Sequence, residues 1–307
     1  REMMFGTRDQ FEYFQCSKCE CLQIIEIPEN LETYYPKDYY SFSRPLPPKI
    51  GATKRFMKRQ RTSYCLHNKN FIGMILKKIY TEPELPDWLY YAVPKMNDRI
   101  LDFGCGSGQL LFQLYNEGFS DLTGFDPYLD KNTFHKNGIR IFNEKIGAND
   151  ERFDFIMLNH SFEHVPDPME TLRAVSGKIN QGGIVMVRIP VVSSHAWRKY
   201  KEHWVQLDAP RHLFLHSPKS MKIIADGANL LIEDIQYDSN ELQFWGSEQY
   251  VADIPLHDER SYRNGIEGSL FTEDDIQRFK KMAEELNAVQ EGDQACFFLK
   301  KKTDSKW

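Results

Sequence analysis

Arg99-Ile-Leu-Asp102-Phe103-Gly104-Cys105-Gly106-Ser107-Gly108 is the stretch that decides how this chain reads. A short apolar run ends in Asp102, and glycines follow at alternate positions. Gln109-Leu-Leu-Phe-Gln-Leu-Tyr115 then continues with the apolar spacing of a helix. The order is a strand, a tight turn and a helix start. Glycine admits positive φ and lets a ligand approach the backbone with no Cβ in the way. The helix start offers unpaired N–H groups and the positive end of a dipole. A nucleotide-like ligand fits such a turn, although a tight β–α turn that binds nothing uses the same residues. Spacing narrows the choice. The dinucleotide fingerprint G-x-G-x-x-G needs a further glycine at position 109 or 111, where Gln109 and Leu111 stand, so NAD is disfavoured.

One β–α unit downstream, Asp121-Leu-Thr-Gly-Phe-Asp126 is a second short apolar run that ends in an acid and precedes Pro127. An acid at the end of the second strand can accept both ribose hydroxyls of a nucleoside. The alternative is an ordinary loop aspartate.

The run from Asp102 to Gly108 resembles motif I of class I S-adenosylmethionine (SAM)-dependent methyltransferases, an acidic residue followed by G-x-G-x-G. The resemblance covers most of residues 98–236. It implies a cofactor site made by Asp102, Phe103, Gly104, Cys105, Gly106 and Gly108, with Asp126 and Pro127 at the ribose and Glu144 toward the adenine. Leu158-Asn159-His160-Ser161-Phe162-Glu163-His164-Val165-Pro166-Asp167-Pro168 is similar to the strand-four segment of the same family. There the resemblance places Asn159 and His160 against the cofactor, and Glu163 and His164 nearer the methyl acceptor. A local structural pair bracing the loop is the alternative for Glu163 and His164. Their order is wrong for the helical zinc motif H-E-x-x-H. Asp208-Ala-Pro210-Arg211-His212 also matches a run of the family.

Methyl transfer from a sulfonium is an in-line displacement, so alignment of donor and acceptor is the protein's main task. A hydroxyl acceptor also needs a base. His212 is the first candidate because imidazole titrates near neutral pH, with His164 and Glu163 beside it. Arg211 is a candidate for a carboxylate or phosphate on the acceptor. An Asp208–Arg211 ion pair holding a lid is the competing reading.

Alternating patterns from Asp98 onward give strand candidates at 98–103, 121–125, 139–142, 153–158, 183–189, 230–237 and 293–300. Helix candidates are 107–117, 128–136, 168–179, 218–226 and 272–288. Repeated β–α units imply an α/β, Rossmann-like, mostly parallel sheet with helices on both faces. The resemblance implies seven strands, with the last one antiparallel between the fifth and sixth. Residues 97–307 form the methyltransferase domain on this reading. A long aromatic connection at about 239–270 is a substrate-side cap or an oligomer contact, such as a homodimer.

Residues 1–48 hold Cys16-Ser-Lys-Cys19-Glu-Cys21 and then Tyr34-Tyr35-Pro36-Lys-Asp-Tyr39-Tyr40. The knuckle resembles the second half of a zinc ribbon found before many bacterial methyltransferases, with Cys16 and Cys19 as two metal ligands. The resemblance puts another C-x-x-C upstream of Arg1, and two thiols alone do not close a structural zinc site. Residues 49–96 read as a linker followed by lead-in helices at Phe71–Tyr80 and about Trp88–Val93.

The 307 residues carry a net charge of −5, which gives no support for a nucleic-acid partner. No apolar stretch approaches the length needed to cross a bilayer. The six cysteines are too sparse for a secreted disulfide framework, and a reducing cytoplasm fits them best. The sequence therefore reads as a methyltransferase of a small molecule, with a hydroxyl of a sugar, sugar nucleotide or related metabolite as acceptor. N- or C-methylation of a small metabolite and a SAM-binding regulatory module without turnover are the alternatives.

Overall fold

A computed structural model describes residues 1–36, 46–144, 146 and 150–302, so Tyr39 and Tyr40 of the aromatic segment lie outside the described residues. The strands are β1 (Tyr13–Gln15), β2 (Leu22–Ile24), β3 (Arg99–Phe103), β4 (Asp121–Phe125), β5 (Thr133–Phe134), β6 (Arg140–Phe142), β7 (Phe153–Asn159), β8 (Ile179–Pro190), β9 (Phe214–Leu215), β10 (Leu230–Tyr237) and β11 (Gln294–Lys301).

The main sheet runs β10-β11-β8-β7-β3-β4-β6-β5. Strands β6, β4, β3, β7 and β8 are parallel. β11 inserts antiparallel between β8 and β10, as the resemblance implied. Register aligns Asp102 with Gly124 and Met157, which brings the carboxyl ends of β3, β4 and β7 to one edge. That edge is where ligands of open α/β sheets bind.

The sheet has eight strands rather than seven. The extra one, β5, lies in the segment read as a helix at 128–136. Asn137-Gly138 is the reason. Gly138 takes φ 93 and His135 N–H bonds Ile139 O at 2.9 Å, so a tight turn folds β5 back antiparallel onto β6.

A second difference lies in the stretch read as a linker. Ala52–His67 is a helix of 16 residues. It docks on the helix Gln109–Glu117 mainly through charge. The fully buried Glu117 carboxylate accepts from Lys58 at 2.6 Å, Arg61 at 3.0 Å and Thr62 at 2.9 Å. A basic face anchored on one buried carboxylate leaves little apolar periodicity to read.

Alternation along the strands splits the core into two layers. Leu101, Phe125, Phe153 and Val187 pack on one face of the sheet, and Ile100, Leu114, Phe155 and Phe298 on the other. A third cluster around Trp204, Phe244 and Phe279 joins the loop after β8 to the helices Leu242–Val251 and Glu273–Ala288. The N-terminal hairpin β1–β2 continues into β9, so it shares a three-stranded sheet with the loop that carries His212. Among the described residues no helix is long and apolar enough to cross a membrane.

Candidate cofactor and acceptor site

The glycine turn folds as its sequence predicts. Gly104, Gly106 and Gly108 have φ of 77, 52 and 82. Gly104 N–H donates to Phe125 O at 2.7 Å, which ties the turn to β4. A Cβ at Gly104 would lie 2.4 Å from the Ser161 Cβ, so the loop after β7 packs directly on the turn. Ser161 Oγ completes the contact by donating to Phe103 O at 2.7 Å.

Asp126 closes the turn from behind. One carboxylate oxygen accepts from Gly106 N–H at 2.9 Å and the other from Tyr128 N–H at 3.0 Å. Each oxygen keeps a lone pair, as a ribose diol requires. Asp102 is buried beside it. Burial, aided by the Asp126 charge, pushes the Asp102 carboxyl up to about 7.

A cavity of about 520 Å³ opens over the turn. Of the residues expected to hold the cofactor, Asp102, Gly104, Cys105, Gly106, Asn159 and His160 line it. Phe103, Gly108, Asp126, Pro127 and Glu144 do not. Phe103 and Gly108 shape the turn through their backbone, and Glu144 sits half-buried beyond β6. These residues fit SAM: glycines clear the approach to the turn, and acids stand behind it.

A second part of the cavity wall brings together Glu163, His164 and His212, the three residues the sequence proposed for chemistry. Their ligating atoms all lie within 4.8 Å of one another. His164 Nδ1 lies 2.8 Å from Arg211 O, and His212 Nδ1 lies 2.7 Å from Gln206 O. A carbonyl only accepts, so each Nδ1 carries the proton of the neutral ring and each Nε2 keeps its lone pair. Burial holds the His164 imidazole below its usual value. Burial alone would raise the Glu163 carboxyl, but His160, 3.3 Å away, holds it below its usual value, and His164 and His212 add to this in their protonated forms. Glu163 is fully buried, and neither of its oxygens receives an aligned hydrogen bond.

A chain of contacts leads into Glu163 from β8. Arg188 donates to Asp238 at 2.6 Å and to His160 Nε2 at 2.6 Å, so His160 carries its proton on Nδ1, 3.3 Å from Glu163. His160 holds φ 51, an uncommon value for a residue with a side chain, and thereby faces both partners. Sequence reading missed Arg188, although a lone arginine in the apolar run Ile184–Pro190 was a visible signal. It also missed Met4, Asn240, His257, Arg263 and Gln294, which line the cavity from distant segments.

Arg211 has a different place from the one expected. It is fully buried and does not line the cavity. It grips Asp208 at 2.6 Å and Glu2 at 2.8 Å and donates to Tyr34 O at 3.1 Å. An acceptor carboxylate cannot reach it. Arg211 instead ties the N-terminal segment to the loop that carries His212, the lid-holding role weighed against acceptor binding. Tyr13 OH reinforces the tie by donating to His212 O at 2.9 Å.

The knuckle is a turn between β1 and β2, closed by Glu20 N–H on Cys16 O at 2.8 Å. Cys16 and Cys19 interact there, and their hydrogen bonds hold the Cys16 thiol below its usual value. Cys21 turns away and sits buried, 3.7 Å from His216 Nδ1. Among the described residues no third ligand joins the pair, so the knuckle does not fit a closed four-ligand zinc site.

The profile of the family described as "Methyltransferase domain" matches residues 58–235, more than half of the chain. The chain belongs to the methyltransferase-domain family. It carries a SAM-dependent methyltransferase domain, built on the glycine turn and sheet described above. The domain is 28% identical over 123 residues to a tRNA U34 carboxymethyltransferase of Saccharophagus degradans, covering 34% of this chain and 38% of that protein. It is 25% identical over 154 residues to a ubiquinone biosynthesis O-methyltransferase of Aeromonas salmonicida, covering 45% of this chain and 64% of that protein. The match thus spans little more than a third of the first of these relatives. A solved SAM-dependent methyltransferase from Archaeoglobus fulgidus aligns with 76% of this chain and 100% of its own, at TM-score 0.45 and 20% identity.

Proposed function

We propose that this methyltransferase moves the methyl group of SAM to a hydroxyl of a small-molecule acceptor, such as a sugar, a sugar nucleotide or a related metabolite. One observation carries the reading. A single cavity has the glycine turn on one wall and Glu163, His164 and His212 on the other. When bound, SAM supplies an electrophilic methyl group. Asp126 would hold the ribose, Glu144 would lie toward the adenine, and the turn with Asn159 and His160 would hold the methionine end. The acceptor would lie beside His164 and His212, which line the same cavity and whose Nε2 lone pairs are basic.

Alignment of two reactants in one cavity supplies much of the rate. Proton removal from the acceptor supplies the rest. The chain's acidic balance, without the basic excess that a polynucleotide partner calls for, supports a small acceptor.

The test is tritium transfer from methyl-labelled SAM into a cell extract separated into metabolites and RNA. Label should enter the metabolite fraction. Entry into RNA alone would replace the acceptor class. His212→Ala should keep SAM binding and lose about 100-fold or more in turnover. Unchanged turnover with SAM bound would remove His212 from the chemistry.

A further inference from the structure

We propose that Glu163, His164 and His212 bind a divalent transition-metal ion on the acceptor wall of the cavity. Three observations carry this. The first is the donor set. Two imidazole nitrogens and a carboxylate, all within 4.8 Å of one another, come from the 3-10 turn Phe162–His164 and from the loop before β9. Two imidazoles with a carboxylate suit manganese, iron, cobalt or zinc better than magnesium or calcium.

The second is orientation. Each histidine gives its Nδ1 proton to a backbone carbonyl, Arg211 O or Gln206 O. That is how metal-binding histidines are usually held, because it fixes the tautomer and aims the Nε2 lone pair at the ion. Tyr35 OH stands 3.2 Å from the same Nδ1 of His164, and Tyr13 OH holds His212 O. The N-terminal segment therefore braces both ligands.

The third is the state of Glu163. Its side chain has no solvent exposure, and neither oxygen has an aligned donor. His160 Nδ1, 3.3 Å from one oxygen, is its nearest donor, and a buried carboxylate with only that poorly aligned donor is unfavourable unless a cation stands beside it. With the neighbouring imidazoles neutral, the fixed charges nearby do not supply one. Arg211 is already shared between Asp208 and Glu2, and Arg188 is engaged by Asp238. The neighbourhood of Glu163 is net negative, as a cation site requires. Asp208 Oδ2, 3.8 Å from His212 Nε2, adds to this field while its oxygens stay on Arg211.

The ion binding stands on geometry alone; its use in catalysis rests on the methyl-transfer reading. Three protein ligands leave open positions for an acceptor hydroxyl. Ligation lowers the hydroxyl's pKa, and its proton leaves to water. The oxygen then attacks the methyl carbon, the carbon–sulfur bond breaks, and its electron pair stays on sulfur. One methyl ether, one neutral thioether and one proton result. His212, once ligated, has no lone pair left for that proton, so the ion takes over the activation.

Cobalt(II) and manganese(II) are the probes, added to chelator-stripped full-length protein. Cobalt absorption should report one site without thiolate charge-transfer bands, and the manganese spin-resonance signal should fall on binding. Glu163→Gln and His212→Ala should each weaken binding by about 100-fold or more, beyond what loss of a histidine's outer partner does. SAM titration of the same samples serves as the folding control and tests the methyl-transfer reading separately. SAM binding without metal binding by the wild-type protein at millimolar ion overturns the metal site alone. Thiolate bands abolished by Cys16→Ser would place the ion at the knuckle and overturn it equally.

Discussion

The two walls of the cavity are built in opposite ways. The glycine wall is one β–α turn, Asp102 to Gly108, whose shape is set by its own backbone and a bond to the neighbouring strand. The histidine wall is assembled from Met4, the turn that carries Glu163 and His164, the loop that carries His212 and the 240–263 connection, four segments far apart in the chain. Its geometry depends on a buried ion pair network between Arg211, Asp208 and Glu2. A locally specified wall can hold a common cofactor while the assembled wall varies with the acceptor. The difference predicts that each wall can be damaged without the other.

The largest effect belongs to the clamp. Arg211→Met leaves Asp208 and Glu2 buried without their cation, and breaking such a pair costs about 3–5 kcal/mol. The midpoint of urea unfolding should fall accordingly. SAM affinity of the folded protein, measured by calorimetry well below that midpoint, should stay the same. If SAM affinity falls with it, the walls are one unit and the comparison fails.

Gly104→Ala is the reciprocal lesion. It places a Cβ 2.4 Å from the Ser161 Cβ at a residue with φ 77. The left-handed conformation alone costs a residue with a Cβ about 1–2 kcal/mol. SAM affinity should drop about 10-fold or more. Cobalt binding on the other wall should not change. Adding Ser161→Gly should recover part of the loss, because it removes the atom that the new Cβ meets.

The same contrast explains what the sequence could disclose. Asp102 to Gly108, the strands β3, β4, β6, β7, β8 and β10 and the place of β11 were legible because each rests on local spacing or on a resemblance carried by contiguous residues. The names of Glu163, His164 and His212 were legible too, from two short runs. Their meeting was not, since the 47 residues of 165–211 separate His164 from His212 and tertiary packing decides it. Arg211 was ambiguous for a physical reason. A cation beside an acid, a proline and a histidine suits both a ligand clamp and a structural one, and only its burial with Glu2 decides. The helix Ala52–His67 escaped because charge, not an apolar stripe, holds it to Glu117. β5 escaped because a strand of two residues has no periodicity to show, and only the Asn137-Gly138 turn marks it.

The finest test of the glycine wall is its response to pH. Asp102 is held near 7 in the free protein, against 3.8 for an ordinary aspartate, because burial and Asp126 disfavour its charge. The folded chain therefore keeps a proton that the unfolded chain releases above 3.8. Stability contributed here is present at low pH and is lost as pH rises from about 4 to about 7. A bound sulfonium and ammonium favour the ionised form, so SAM binding should expel the proton and tighten as pH rises. Between pH 6 and 8 the gain should approach about 10-fold, one pKa unit's worth. Asp102→Asn should flatten both curves. His212→Ala should leave the SAM curve as it is, because His212 belongs to the other wall. A slope that follows His212 instead would mean that protons on the acceptor wall govern cofactor binding, and the separation between the walls would be lost.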